Sequence, residues 1–281
     1  MTETIVVWAG DLHINSTMAI CVPEFEKDDG NIHTNSKLQN ALWAAWCDAW
    51  MEVKQRAKGR EVVTILGGEI ADEMSKHASY QFITPNTDDI RRMALETLEP
   101  MINVTHKLIV LRGTEAHTGV SSNLDEGIAR EIHNGYDGIK LIKDGNRFSH
   151  YYAQKYIGGR LFDLCHHVTM GQSRRTERNA ANQLSSDLQN DYIRKWSRDK
   201  KKKFELPDFA LRGHVHRYSD SADNFPIHSI ICPAWQLKTS FIHRIGASAQ
   251  ADDIGLVVIE PATKKIDWIQ YVPQNKDPQY I

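Results

Sequence analysis

Apolar residues in the first half of the chain alternate between short continuous runs and longer amphipathic stretches. The runs begin at Ile5, Val62 and Leu108, and their length and β-branched content are typical of buried strands. Between them, Lys37 to Lys58 and about 88–102 carry apolar side chains at the spacing of one helix face. Ser36 is placed to cap the first of these helices, and Asn123 is placed to cap a third helix that ends near Ile132. The first half therefore predicts alternating strands and helices.

The second half of the chain predicts mostly strands, with one long helix from about Arg175 to Lys200. The predicted strands are Ile139–Ile142, His150–Gln154, Arg160–Cys165, Phe209–Arg212, Ile227–Ile231, Gln236–His243, Ile254–Glu260 and Lys264–Tyr271. An order of β/α units followed by strands predicts an α/β fold in which two packed mixed β-sheets are flanked by helices, a four-layer α/β-β/α sandwich. We expect one domain over residues 1–281.

The connection from Asn15 to Ser36 is longer than most loops and is rich in polar and turn-forming residues. Such a length favours a functional segment over a simple crossover. We expect it to form a flap over a cleft or an interface with another subunit.

Composition limits the cellular setting more than the chemistry. The net charge is −2, so attraction to nucleic acid would have to be local. The four cysteines form no Cys-x-x-Cys pair, which favours reduced thiols; Cys165 beside His166 is better explained as a small strand residue than as a ligand. Because no apolar run has the length of a membrane span and no signal peptide is visible, we expect a cytoplasmic protein without membrane contact.

Metal-binding residue types follow five of the predicted strands. They are Asp11 and His13, Glu69 after Gly67-Gly68, Glu115 and His117 after Gly113, the pair His166-His167, and His214 and His216 after Gly213. Side chains at positions i and i+2 of an extended segment share a side, so Asp11 with His13, and His214 with His216, can each face one ion. Carboxylates and imidazoles suit Zn, Mn or Fe, and this set is too large for one tetrahedral zinc site. Two metal ions are the better interpretation. Asp72 is open between a functional role and the N-cap of a short helix.

The order Asp-x-His, Gly-[Asp/Glu]-x-x-Asp, Gly-x(n)-His, His and Gly-His-x-His resembles the calcineurin-like metallophosphoesterase superfamily, from Ile5 to about His216. The resemblance implies that one metal is held by Asp11, His13 and His216. It also implies that Glu69 bridges the two metals, and that His214 holds the second. The single strand-end histidine on the second metal is His166 or His167, with His166 preferred because it directly follows the apolar strand.

Two positions differ from the family pattern. The bridging residue is usually Asp, and here it is Glu69. The third motif is usually Gly-Asn-His, whereas this chain has Gly113-Thr114-Glu115-Ala116-His117, so Thr114 or Glu115 takes the place of the Asn ligand. The resemblance assigns protonation of the leaving group to a histidine of this loop, which here is His117.

The resemblance implies a metal-dependent hydrolase that cleaves phosphoester bonds, a phosphomonoesterase or phosphodiesterase, with two divalent ions such as Mn, Fe or Zn. The alternatives are a nuclease acting on nucleic-acid phosphodiesters and an inactive binding scaffold of the same fold. Arg174, Arg175 and Arg178 could bind phosphate oxygens, as could His167, although a solvated helix end explains the arginines equally well. For Lys200 to Lys203 a solvated helix end is the better explanation.

Overall fold

The structure is a computed structural model that describes residues 3–74, 81–168, 179–199, 204–240, 243 and 253–273. Its first sheet contains, in spatial order, β13 (Lys265–Tyr271), β12 (Ile254–Glu260), β1 (Thr4–Ala9), β4 (Glu61–Leu66), β5 (Lys107–Val110) and β6 (Lys140–Leu141). Strands β1, β4, β5 and β6 are parallel, while β12 and β13 are antiparallel additions. The carboxyl ends of the parallel strands therefore meet at one edge.

The second sheet contains, in spatial order, β10 (Ser219–Asp220), β11 (His228–Ile231), β9 (Phe209–Arg212), β8 (Arg160–Cys165) and β7 (Tyr152–Ile157). Strands β8, β9 and β11 are parallel to one another. Strands β2 (Glu24–Glu26) and β3 (Ile32–Thr34) form a separate small hairpin. Both large sheets are thus mixed, as predicted.

Helices cover the outer faces of the two sheets. They are α1 (Lys37–Ala57), α2 (Thr87–Ile102), the short α3 (Glu115–Thr118), α4 (Asn123–Gly135) and α5 (Ala180–Arg198). One apolar core joins α1, α2 and α4 to the first sheet, a second lies between the sheets, and a third joins the start of α5 to the second sheet. The predicted fold class, two packed mixed sheets flanked by helices, is confirmed.

Helix α1 shows why the sequence pattern was informative. Ser36 accepts a hydrogen bond from the backbone of Gln39, whose side chain accepts one from the backbone of Ser36, so both orphan N–H groups are satisfied. The apolar stripe of the helix is buried, and Trp46 donates its indole N–H to the carbonyl of Thr97 in α2 at 2.9 Å. Capping and packing thus favour the same helix.

Three predicted elements are different in the structure. The described residues of the segment predicted as a strand from Gln236 to His243 do not form one: Leu237 donates its backbone N–H to Met18, and Ser240 is helical. The strand predicted at His150 starts instead at Tyr152, because the backbone of His150 is hydrogen-bonded to Val110 and Arg112 beside the first sheet. Asn123 is the first residue of α4 rather than its cap.

The connection from Asn15 to Ser36 packs against α2. Phe25 is buried beneath the guanidinium of Arg92, 5.0 Å from its ring centroid, and the backbone of Asp28 donates to Asp89. This packing gives no support to the predicted flap, and an interface role remains a prediction. No helix in the described part of the chain has the length and apolarity needed to cross a bilayer. All four cysteines are free.

Candidate metal centre

Loops that follow strands of both sheets meet above their carboxyl ends. The loop after β1 is bonded to the loop after β4, since Asp11 and His13 donate their backbone N–H groups to Gly68 and Glu69 at 3.0 Å. The loop after β9 is bonded to the same place, because the backbone N–H of His214 donates to Oδ1 of Asp11 at 2.9 Å. These contacts bring together residues that are up to two hundred positions apart.

The backbone of the candidate ligands is unusual. A left-handed φ is uncommon for residues other than glycine and clusters at functional sites. Here it occurs at five predicted ligands and at a neighbour of the first loop: Asp11 (51°), His13 (47°), Glu69 (51°), His214 (75°), His216 (53°) and Asn15 (86°). The concentration of this strain in the strand-end loops indicates that their conformation serves the convergence of the side chains.

Two glycines permit the close approach of these loops. A Cβ on Gly213 would lie 2.4 Å from Oδ2 of Asp11, and one on Gly113 would lie 2.4 Å from Cγ of Glu69. Both contacts are far inside van der Waals distance. The loops can approach this closely only because Gly213 and Gly113 have no side chains.

The first group of possible ligands consists of Asp11, His13, Glu69 and His216. Nε2 of His13 lies 3.0 Å from Nε2 of His216 and 3.2 Å from Oε2 of Glu69. Nε2 of His216 lies 3.4 Å from Oδ1 of Asp11. Asp11, His13 and Glu69 are buried, whereas the side chain of His216 is partly exposed.

The second group consists of Glu69, His166 and His214. His166 donates its Nδ1–H to the carbonyl of Gly67 at 2.7 Å, so Nε2, 3.2 Å from Oε1 of Glu69, is the ring nitrogen that can bind an ion once it has lost its proton. Nδ1 of His214 lies 3.8 Å from the same oxygen. Of the two histidines considered after β8, the structure brings His166 into the group.

Nε2 of His166 and Nδ1 of His214 are buried, and neither forms a hydrogen bond within the described part of the chain. Buried polar atoms without partners are costly, and they call for an explanation such as an ion. A cation between these atoms and Glu69 would supply the missing interaction. The donor set, imidazole and carboxylate, fits Zn, Mn or Fe. The buried clusters of His, Asp and Glu therefore indicate binding of divalent metal.

Glu69 belongs to both groups. Its Oε2 faces His13 at 3.2 Å and its Oε1 faces His166 at 3.2 Å. One carboxylate thus presents a different oxygen to each set of histidines, an arrangement that suits a ligand shared between two ions.

Asp72 orients two histidines and is a site residue that the sequence left open. Its Oδ1 lies 2.7 Å from Nδ1 of His13 and 3.0 Å from Nδ1 of His117. A carboxylate behind a ligating histidine fixes the tautomer and makes the ring more basic. Asn15 was missed altogether: its side chain donates to the carbonyls of Asp72 and Thr84 and holds this loop in place. The only sequence signal for Asp72 was its spacing after Glu69.

The loop after β5 places its three candidate residues, Thr114, Glu115 and His117, in different surroundings. Thr114 lies against the cluster, with its Oγ1 2.5 Å from Oε1 of Glu69. Glu115 is exposed and is not brought to the cluster; it starts α3, and its carboxylate accepts the backbone N–H of Ser121. His117 is on the rim, with its side chain 42% exposed and its ring 4.7 Å from that of His13. One turn of α3 places it there despite its late position in the motif.

His167 lies at the opposite rim, where its exposed ring is 4.4 Å from the ring of His214. Arg174, Arg175 and Arg178 lie outside the described residues, as do Lys200 to Lys203. Cys165 is in neither ligand group.

The charges of the cluster favour a cation. Burial alone would lower the pKa of His13, but Asp72 and Glu69 raise it well above the usual value. Burial likewise opposes protonation of His166, and Asp11 and Glu69 nevertheless raise its pKa to about 9. Burial would raise the pKa of Glu69, but contacts with His13, His166 and His214 hold it well below the usual value. Carboxylates that stabilise protonated imidazoles in this way would also stabilise a metal ion that displaces the protons.

No protein-family model matches the chain, and no curated protein matches it. Solved structures do resemble it. A single-residue variant of Vps29 from Entamoeba histolytica aligns over 95% of this chain and 99% of its own, with 9% identity and a TM-score of 0.38. Wild-type Vps29 from the same organism, complexed with Zn²⁺, aligns over 93% and 88%, with 10% identity and a TM-score of 0.39.

A protein of unknown function from Aquifex aeolicus aligns over 82% of this chain and 89% of its own, with 12% identity and a TM-score of 0.35.

Proposed function

We propose that this chain is a calcineurin-like metallophosphoesterase that hydrolyses phosphoester bonds at a centre of two divalent metal ions. The observation that carries the proposal is the shared carboxylate of Glu69, which has one oxygen toward each of two sets of ligands. A site for one ion would not need two separate sets. The sequence motifs support the same assignment independently of the geometry.

In this assignment the first ion is held by Asp11, His13, Glu69 and His216. The second is held by Glu69, His166 and His214. The order of these residues along the chain agrees with the family pattern, and the buried, unpartnered nitrogens of His166 and His214 support the second set. Mn, Fe and Zn all suit the donor atoms.

When bound, two such ions lower the pKa of a water, orient phosphate oxygens and neutralise charge during an in-line displacement at phosphorus. The protein fixes the ligands before substrate arrives. Asp72 holds the His13 ring from behind, and the carbonyl of Gly67 holds the His166 ring. The buried floor formed by Asp11 and Glu69 keeps bulk water from the inner side of the site.

His117 is the proposed general acid. Its Nδ1–H donates to Asp72, which fixes the orientation of the ring and leaves Nε2 free to face a leaving oxygen. Its partial exposure on the rim gives a substrate access to that atom. Asp72 therefore couples the proposed acid to the ligand His13.

Thr114 occupies the position of the family's Asn ligand, directly after the glycine. Its hydroxyl donates to Glu69 instead of offering an amide oxygen to the second ion. We therefore assign Thr114 to positioning Glu69. Glu115 contacts Ser121 instead of the cluster and is not part of the proposed centre. His167, beside His214, is the proposed contact for substrate on the other rim.

The test is metal content together with hydrolysis. Protein purified without chelators should contain close to two equivalents of Mn, Fe or Zn. It should hydrolyse at least one of a phosphomonoester, a bis-aryl phosphodiester, a cyclic nucleotide, and single- or double-stranded DNA. Cleavage of DNA alone would favour the nuclease alternative. His13→Ala should lose metal and activity, whereas His133→Ala, at an exposed histidine on α4, should keep both. Protein that takes up no metal when it is supplied would instead be a binding scaffold.

A further inference from the structure

A cavity of about 230 Å³ opens far from the metal centre, at the amino ends of β4, β5 and β6 and beside the end of β7. Its floor is formed by Val63, Ile109, Ile142 and Ile157, which belong to the core between the sheets or pack against it. The cavity is therefore an open corner of the layer between the two sheets.

Lysines line this cavity at positions where a sandwich normally places apolar residues. Lys107 and Lys140 are two residues before Ile109 and Ile142, and Lys155 is two residues before Ile157, so all three share the inner face with the floor. Lys107 and Lys140 are in register on neighbouring strands, while Lys155 comes from the opposite sheet. Three lysines thus line the cavity, two from one sheet and one from the other.

The positive charge is only partly balanced. Glu61 is the one carboxylate among the described lining residues, and it is paired with Lys107 at 2.6 Å. Within the described part of the chain, neither Lys140 nor Lys155 forms an ion pair. Two unpaired cations facing one partly enclosed space repel each other, and an anion between them would relieve the repulsion.

The shape of the cavity limits what that anion is. A dry cavity of about 150 Å³ is known to hold benzene, so this one has room for a ring-sized apolar body with a charged group. The aliphatic floor suits the body, and the lysines at the mouth suit the charge. We propose that the cavity binds a small amphipathic organic anion, with its apolar part on Ile109 and Ile157 and its anionic group between Lys140 and Lys155.

The competing explanation is protection of sheet edges. Strands β6 and β7 are the edge strands of the two sheets, and inward-pointing lysines on edge strands discourage pairing with other chains. That role needs no ligand, and it predicts self-association when the lysines are removed. The two explanations therefore give different results with the same variant.

The test is titration calorimetry of the full chain with benzenesulfonate, chosen because a sulfonate is a poor ligand for metal ions. Binding should be saturable, and it should be weaker by about tenfold or more in the Lys140→Met/Lys155→Met double variant, which keeps side-chain length and removes charge. Lys37→Met/Lys54→Met removes the same charge from exposed positions on α1 and should leave binding unchanged. Inorganic sulfate lacks the apolar ring and benzyl alcohol lacks the negative charge, so each should bind more weakly than benzenesulfonate.

No binding to the wild-type protein, or equal binding in both double variants, would overturn the proposal. Self-association of Lys140→Met/Lys155→Met with unchanged binding of benzenesulfonate would assign the lysines to edge protection instead.

Discussion

The two ligand groups of the metal centre share Glu69 but are built differently. The first adds a buried carboxylate, Asp11, and two histidines; the second adds only two histidines. The first group therefore has one more ligand and one more negative charge within the described residues. We expect its ion to bind more tightly and the second ion to exchange more readily.

The hydrogen bonds that hold the ligating histidines also favour tighter binding of the first ion. His13 is held by the carboxylate of Asp72, whereas His166 is held by a neutral carbonyl of Gly67. A carboxylate partner increases the basicity of a ligating imidazole more than a carbonyl does. In addition, the hydroxyl of Thr114 donates to Glu69, and Thr114 adds no ligand to the second group. In the proposed centre we therefore expect one tightly held ion and one exchangeable ion around a shared carboxylate.

The largest effect should come from Glu69→Gln, because Glu69 is the only described residue that belongs to both groups. The amide removes the shared negative charge while the size of the side chain is preserved. We expect loss of both ions and a fall in turnover of about 10³-fold or more with every substrate. Metal analysis of the purified variant checks this, and a variant that keeps two ions would show that Glu69 is not shared.

The comparison itself is sharpened by His214→Ala and His216→Ala, two changes in one loop at similar exposure. His214→Ala leaves two ligands for the second ion, so we expect that ion to be lost and the first to be retained. His216→Ala leaves three ligands for the first ion, so we expect weaker binding with the site still occupied at saturating metal. Isothermal titration with Mn²⁺ measures both, and identical stoichiometry in the two variants would remove the proposed asymmetry.

His117→Ala should act on turnover without changing metal content. We expect a loss of about 10²-fold or more for substrates whose leaving group has a high pKa, and little loss for a nitrophenyl ester, whose leaving group needs no proton. Steady-state rates across a series of leaving groups check this. An equal loss with all leaving groups would mean that the acid lies elsewhere, with His167 the next candidate.

Asp72→Asn should give the smallest effect, since the residue acts through its neighbours. The amide keeps a hydrogen bond to His13 but loses the charge, and we expect the affinity for the first ion to fall about 10- to 100-fold. The second ion should be almost unaffected because Asp72 contacts neither His166 nor His214 in the described structure. A larger loss of affinity for the second ion than for the first would show that Asp72 does not act through His13.

The regular elements could be predicted where local pattern and packing favour the same structure. The capping box and apolar stripe of α1 are local, and the strands β1, β4 and β5 are buried on both faces, so each has a strong signal. The segment after Gln236 is different: Leu237 is buried and its backbone donates to Met18 in the loop after β1, a partner more than two hundred residues away. Periodicity cannot distinguish such a loop from a strand.

The site residues could likewise be predicted only where the sequence carries a signal for them. Residues at strand ends carried a topological signal, which identified the two ligand groups that share Glu69, whereas a third possible group, His13, Asp72 and His117, was not predicted. Asn15 acts through contacts between distant loops, which no spacing in the sequence indicates, and Asp72 was indicated only by its spacing after Glu69. Glu115 was considered a ligand because of its residue type, yet the turn of α3 directs it to Ser121 and places His117 beside Asp72 instead.

The central claim is that one carboxylate holds two ions. Crystals of the wild-type protein grown with Mn²⁺ and measured at the manganese absorption edge test it most directly. The account predicts two anomalous peaks about 3.5–4 Å apart on either side of the Glu69 carboxylate, the second of them weaker at limiting metal. A single peak at saturating metal, or two peaks of which only one contacts Glu69, would contradict it.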